Sequence, residues 1–418
     1  MIRLRWMSLQ TTLFVNARTA NYIANLLVIS PPQQFDVIAM MVLLDELAVS
    51  PPDVQNTMPI DQMISTIGNY WRSQSDSDSW QNCNDDGIPT AVPMSQSFCR
   101  VIVPFHSCGS SALRDKYHSS TGASTVRFGK ILEDLDIFAV YLAYVHNQGG
   151  PLEPNQKPKH PKMGIVTACV DRIDIDNAGI STLRNIENVY DVVLEGHITW
   201  VGRSSMEASL RFLHNSGGKP GCWISLMDAK VVLVATDGAT GKSVAVRPLC
   251  IRSEQEKMIY QKGQENADRR KKSMNLTLFK APPSPDESDL LHSLFTSTLV
   301  KGSLSFEVIK LPKGYVWMDE CKLNNCIICF PQETNMYGKM FGGFLMRTAV
   351  ELGWAAASLF ARCRPGALSV DDISFRKPVE IGSLLHLQAQ VNIWFHNGAD
   401  GFSSYGPGST FKIWIRAI

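Results

Sequence analysis

A repeat constrains this chain more than any other feature. Residues 167–175 read T-A-C-V-D-R-I-D-I and residues 367–375 read A-L-S-V-D-D-I-S-F, sharing V-D-x-I in register. Just upstream of each copy, a glycine opens a long helical pattern. In residues 126–146 the apolar Ile131, Leu135, Phe138 and Leu142 recur at three- and four-residue steps. In the second half the pattern runs from Gly342 to Arg362. Strand-like runs surround both helices: 97–104, 164–175, 192–200, 205–212 and 225–236 in the first half, 315–330, 367–375 and 384–395 in the second. One long helix plus several strands, made twice, predicts an α+β chain. Each unit is an antiparallel sheet wrapped around its helix, and the two units pair.

Composition narrows the function classes. A formal net charge of +1 over 418 residues gives no electrostatic argument for a nucleic-acid partner. The densest apolar run, residues 37–44, is far too short for a membrane span. Ten scattered cysteines suit a reducing compartment. Cys321, Cys326 and Cys329 have a plant-type ferredoxin spacing. They fall in a strand pattern that points Cys326 and Cys329 to opposite faces, so no metal site is expected.

The rest of the chain divides by composition. Residues 1–30 carry Arg3, Arg5 and Arg18, and no acid precedes Asp36. That fits a mitochondrial transit peptide or an unrelated start. Residues 31–96 form a poorly defined extension, with a helix pattern at 35–49 and a linker at 73–93. The first unit spans 97–238, a charged helical connector 239–303, and the second unit 304–418. The connector's basic run 269–272 reads as a solvated helix face, with anion binding as the alternative. After residue 395 the chain is glycine-rich, and one strand pattern follows at 411–418. The second unit is therefore expected to lack one or more C-terminal strands.

The stretch from Asn335 to Glu351, N-M-Y-G-K-M-F-G-G-F-L-M-R-T-A-V-E, is the strongest local signal. A helix start leaves N–H groups unpaired and favours negative charge. Gly342 and Gly343 would let a ligand approach them, or would merely allow tight packing.

Long stretches resemble one family: V-R-F-G-K-I-L-E-D-L-D, I-V-T-A-C-V-D-R-I-D, W-V-G-R-S-S-M-E, Y-V-W-M-D-E, F-G-G-F-L-M-R-T-A-V-E-L-G-W-A and V-D-D-I-S-F-R-K-P-V-E-I-G-S-L-L. From about residue 97 to 395 they are similar to the acyl-coenzyme A thioesterase 9 and 10 group of mitochondrial double hot-dog enzymes. The resemblance implies a tandem hot-dog fold and hydrolysis of acyl-coenzyme A to a carboxylic acid and coenzyme A. No cofactor is implied, since coenzyme A is part of the substrate. It also implies a mitochondrial matrix location, with the cytoplasm as alternative, and a homo-oligomer such as a trimer of double units.

In such enzymes an acid seven residues past one helix-start glycine faces an asparagine eight before the other. From Gly129 the acid is Asp136; from Gly343 the asparagine is Asn335. Asp136 is then general base or nucleophile, and Asn335 orients water or carbonyl. The backbone at Gly129, Gly342 or Gly343 holds the oxyanion. The opposite pair would be Val350 and Thr121, which do not fit, and Glu351 is one place late, about 100° round the helix. One working and one degenerate site are expected. Arg203, Arg376 and Lys377 are candidates for coenzyme A phosphates. Two alternatives remain. A catalytically impaired acyl-coenzyme A binder would follow from the altered C-terminus. An acyl-thioester hydratase would favour a His/Asp dyad, but His146 lies at the end of its helix.

Overall fold

The computed structural model describes residues 57–75, 90–105, 111–118, 126–152, 163–175, 191–215, 223–238, 240–275, 282–298, 316–335, 338–362, 365–367, 369–375, 377–395 and 410–417. The expected transit peptide, the helix pattern at 35–49, the glycine-rich run 396–409, Thr121 and Arg376 lie outside the described residues.

In chain order the elements are β1 (Met58–Pro59), α1 (Ile60–Ser75), β2 (Val92–Pro93), β3 (Cys99–Val103), α2 (Ser111–Tyr117), α3 (Phe128–Gln148), β4 (Met163–Ile175), β5 (Val192–Val201), β6 (Ser205–Asn215), β7 (Trp223–Asp237) and β8 (Leu249–Cys250). Then come α4 (Glu254–Asn275), α5 (Pro285–Thr298), β9 (Lys322–Ile328), α6 (Gly342–Ala361), β10 (Ser369–Ser374), β11 (Leu384–Phe395) and β12 (Thr410–Ala417). One sheet has the order β1-β3-β5-β6-β7-β4-β10, a second the order β12-β11-β9. Helix α3 packs on β4, β5, β6 and β7, α6 packs on β9, β11 and β12, and the two helices pack on each other. This is the tandem hot-dog arrangement that the resemblance implied.

The repeat explains how the halves join. Residue 369 corresponds to residue 169 in the V-D-x-I alignment, an offset of 200. β4 and β10 pair antiparallel with Ser369 opposite Asp174 and Ser374 opposite Cys169. Exchanging each residue for its repeat partner returns the same ladder. Val370 faces Ile173 and Ile373 faces Val170, all four buried. The shared V-D-x-I is thus a self-complementary strand pair, and its alternation keeps the apolar members on one face.

Helix α3 is buried on almost every side because three layers meet it: the sheet, α6, and α1. Its C-terminus closes at Gly149, whose φ of 77° is the left-handed conformation that glycine adopts freely. Helix α1 turns Ile60, Met63, Ile67 and Tyr70 inward. The Tyr70 ring lies 5.2 Å from that of Tyr144 on α3.

Three expectations need correction. The N-terminal extension holds a well-packed helix, α1, that was not expected. Its apolar stripe is only one residue in three or four, diluted by polar neighbours. The strand expected at 315–330 is only Lys322–Ile328, preceded by a 3-10 turn at Met318–Cys321. Cys321 and Cys329 are buried and Cys326 is exposed. Among the described residues no group of His, Cys, Asp and Glu could hold a metal ion. The basic run is not uniformly solvated. Arg269 points out, but Arg270 reaches Asp171 at 2.8 Å and the buried Glu207 at 3.1 Å, fastening α4 to the outer face of the sheet. No helix among the described residues is long and apolar enough to cross a membrane.

Candidate active site

The site forms where the start of α6 meets the side of α3. The helices are related by an offset of 214, since Gly343 corresponds to Gly129. Each start glycine lies against the other helix. A Cβ on Gly343 would stand 2.9 Å from the Glu133 Cα and 3.2 Å from the Asp136 Cβ. A Cβ on Gly342 would stand 3.0 Å from Asp136 Oδ2. Glycine is needed here because the helices approach too closely for any side chain.

Asp136 is 1% exposed. Its Oδ1 accepts a hydrogen bond from Thr167 Oγ1 at 2.6 Å. Its Oδ2 has no hydrogen-bond partner among the described residues. Burial pushes its pKa from 3.8 to about 6. The Thr167 hydroxyl and the Gly343 amide pull it back, and the Glu133 carboxylate one turn earlier adds to the rise. The Gly343 N–H thus favours the ionised form of the carboxylate. A buried carboxylate with an open oxygen at a helix start can take a proton from water.

Asn335 lies on the turn that leads into α6. Its Oδ1 accepts from the Lys339 amide at 3.1 Å, and its own N–H donates to the Lys339 carbonyl at 2.7 Å. Phe341 N–H then bonds the Glu333 carbonyl at 2.9 Å, which fixes the entry of the helix. So α6 brings Gly342 and Gly343 onto Asp136, and Asn335 sits on the same entry.

Gly129 belongs to the opposite helix start. There a Cβ would meet the Arg347 Cγ at 2.9 Å and Glu351 Oε1 at 3.2 Å. Glu351 does reach that helix start despite its late position, but Arg127 Nε binds its Oε1 at 2.7 Å. Both side chains are 39% exposed. This locus holds a neutral ion pair in place of a buried base. Arg203 lies exposed on the turn between β5 and β6, and Lys377 is exposed after β10. No contact links either to Asp136.

Two features escaped the sequence reading. Thr167 is the first residue of the repeated segment on β4, and its counterpart is Ala367, so a hydroxyl in one copy and not the other was the available signal. The second is an ion pair between the helices. Arg347 Nε lies 2.5 Å from Glu133 Oε1, and Lys130 Nζ lies 3.3 Å from Glu133 Oε2. Nothing local in the sequence joins residues 133 and 347.

No family model matches the sequence. Acyl-coenzyme A thioesterase 9, mitochondrial, of Bos taurus is 40% identical over 307 residues, 73% of this chain and 65% of its own length. The Homo sapiens protein of the same description is 39% identical over 308 residues, 74% of this chain and 66% of its own. Acyl-coenzyme A thioesterase 10, mitochondrial, of Mus musculus is 39% identical over 297 residues, 71% and 63%. The chain thus spans just under two thirds of the length of these relatives. Among solved structures, an apo-hexameric acyl-CoA thioesterase aligns with a TM-score of 0.32 at 22% identity, over 45% of this chain and 99% of its own. The 12:0-ACP thioesterase of Umbellularia californica aligns with a TM-score of 0.38 at 10% identity, over 77% and 95%. By sequence, the chain is thus similar to the mitochondrial acyl-coenzyme A thioesterases 9 and 10.

Proposed function

We propose that this protein hydrolyses acyl-coenzyme A to a free carboxylic acid and coenzyme A, through one site at the interface of the two halves. One observation carries the reading: Asp136 is buried, without a cation partner, with Oδ2 open against the start of α6. Asp136 accepts a proton from water as the oxygen attacks the thioester carbonyl. The helix start at Gly342 and Gly343 stabilises the developing oxyanion. Asn335 orients the carbonyl, and Thr167 holds the carboxylate. Collapse of the tetrahedral intermediate breaks the carbon–sulfur bond, and the proton leaves with the thiol. Asp136 acting as nucleophile uses the same geometry.

The names of the relatives support the substrate class and a mitochondrial location, for which we infer the matrix. We also infer a homo-oligomer of double units, with Arg203, Arg376 and Lys377 as candidates for the phosphates of coenzyme A. A thiol-release assay with acyl-coenzyme A of several chain lengths tests the reading. Asp136→Asn is expected to lower turnover by about 100-fold or more while leaving the protein folded. Unchanged turnover in that variant sinks the assignment. Tight binding without thiol release would support the competing reading, an impaired acyl-coenzyme A binder.

A further inference from the structure

A cavity of about 630 Å³ opens where β9 ends, beside the first turn of α6. That volume suits a small-molecule site. Ile327, Ile328, Phe330 and Phe344 line it, with Gln332 and Glu333 from the 3-10 turn Pro331–Glu333. Ile328 is 53% exposed and Phe330 58%. Large apolar side chains gathered in a concave surface mark a binding site.

The first half fills its own counterpart of this cavity. Bulges after Ile198 in β5 and after Val391 in β11 align those strands at an offset of 193. Val103 faces Val192 and Ile327 faces Leu385, so Ile327 stands where Val103 does. On the helices, the offset of 214 places Phe344 at Lys130 and Thr348 at Asp134. Between this strand and this helix the first half has the longer link, and that link carries α2. Tyr117 of α2 donates to Asp134 Oδ2 at 2.5 Å, and Lys130 Nζ lies 6.0 Å from the Tyr117 ring centroid. Phe105 meets the same ring edge-on, and both aromatics are buried. An aromatic pair thus occupies the place that is a cavity in the second half.

We propose that the cavity receives the acyl chain of the thioester and sets chain-length selectivity. The identity of the ligand rests on the hydrolytic reading. Phe344 follows Gly343 directly, so the cavity begins within one helical turn of the backbone that abuts Asp136. Arg347 spans the two places. Its guanidinium lies 5.3 Å from the Phe344 ring centroid, with Nη2 3.6 Å from Glu333 and Nε 2.5 Å from Glu133. A thioester carbonyl held at Gly342 and Gly343 can lay its chain along the first turn of α6. Aliphatic and aromatic walls suit a hydrocarbon. The same lining is wrong for the other end of the substrate. The Glu333 carboxylate repels phosphates, and Gln332 alone cannot pair the amides of the pantetheine arm.

The test titrates S-alkyl-coenzyme A thioethers, from ethyl to dodecyl, into the full chain by calorimetry. These analogues cannot be hydrolysed, so binding is read apart from chemistry. Binding is expected to tighten about fourfold per added methylene until the cavity is full. Ile328→Trp fills the cavity, so the rise should stop at a shorter chain. Phe330→Ser removes a wall, so the gain per methylene should fall to about twofold or less. Both side chains are exposed, so both variants should keep the parent's circular dichroism. In a thiol-release assay, the dependence of kcat/KM on chain length should change in the same way. Chain-length dependence that is equal in the parent and both folded variants overturns the proposal. So does a loss equal for every thioether and for coenzyme A itself, which would give the cavity to the coenzyme arm. The expected thioether binding without thiol release from acyl-coenzyme A would sink the hydrolytic reading and uphold the cavity as an alkyl-chain site.

Discussion

Asp136→Asn should separate stability from function in a pH-dependent way. In the folded protein burial pushes the carboxyl up to about 6, from its ordinary value of 3.8. Below pH 3.8 both states are protonated and the group contributes no pH dependence. Between 3.8 and 6 the unfolded chain ionises first, so stability falls as pH rises. Above 6 the penalty is constant. About two units at ~1.36 kcal/mol each give a penalty of about 3 kcal/mol at neutral pH. Asparagine does not ionise. It keeps an oxygen for the Thr167 hydroxyl but turns an N–H₂ toward the Gly343 amide, costing about 1 kcal/mol at any pH. The variant should therefore be less stable than the parent by about 1 kcal/mol near pH 3 and more stable by about 2 kcal/mol near pH 7. Urea denaturation of both proteins across that range, at one protein concentration, measures the difference. Every other group titrates in both and cancels. A flat difference curve refutes the argument, because Asp136 would then titrate in the folded protein as it does in the unfolded chain.

Thr167→Val removes the hydroxyl that favours ionised Asp136, so the acid limb of the rate profile should move upward by on the order of one unit. The loss of rate should be larger at pH 6 than at pH 8, and kcat/KM across pH checks it. Gly343→Ala drives a methyl to 2.9 Å from the Glu133 backbone and should cost ~1–3 kcal/mol in denaturation. Gly342→Ala meets only the Asp136 carboxylate, so activity should fall with little change in stability. Glu133→Gln removes a charge that raises the Asp136 pKa and should move the acid limb down. Arg347→Met strips that charge of its 2.5 Å partner and should move the limb up. Shifts in the same direction would refute the electrostatic account.

Much of the fold was legible because it is carried by local periodicity. The stripe at Ile131, Leu135, Phe138 and Leu142 marks α3, and alternation marks β4 and β10. The repeat then gives their pairing, since a self-complementary register needs only the sequence of one copy. Asp136 was singled out only through the family resemblance, which supplied its seven-residue offset from Gly129. What could not be read depends on partners far along the chain. Arg270 looks like any exposed base until Asp171 and Glu207 are brought beneath it. Arg127 looks like a helix-start cation until Glu351 arrives from 224 residues away. Helix α1 was readable in principle, but Asp61, Gln62, Ser65 and Asn69 dilute its stripe, and only Tyr144 explains why Tyr70 faces inward.

The two helix starts share a backbone plan and differ in chemistry, and the difference favours the proposed site at one start alone. Each start glycine admits the opposite helix at van der Waals distance, so each puts a dipole against whatever acid that helix carries. At Gly343 the acid is Asp136, short enough to stay buried, held by Thr167, with Oδ2 open. Burial then raises its pKa toward neutrality, at a cost in stability. At Gly129 the acid is Glu351, one residue later and one methylene longer. It escapes burial, reaches Arg127, and gives up its charge to an ion pair. Ala367 stands where Thr167 would be needed to hold it. A single substitution in the second half does not restore the first half's chemistry, since length, position, hydroxyl and cation all differ. The asymmetry between the two helix starts is a property of four coordinated positions on a common frame.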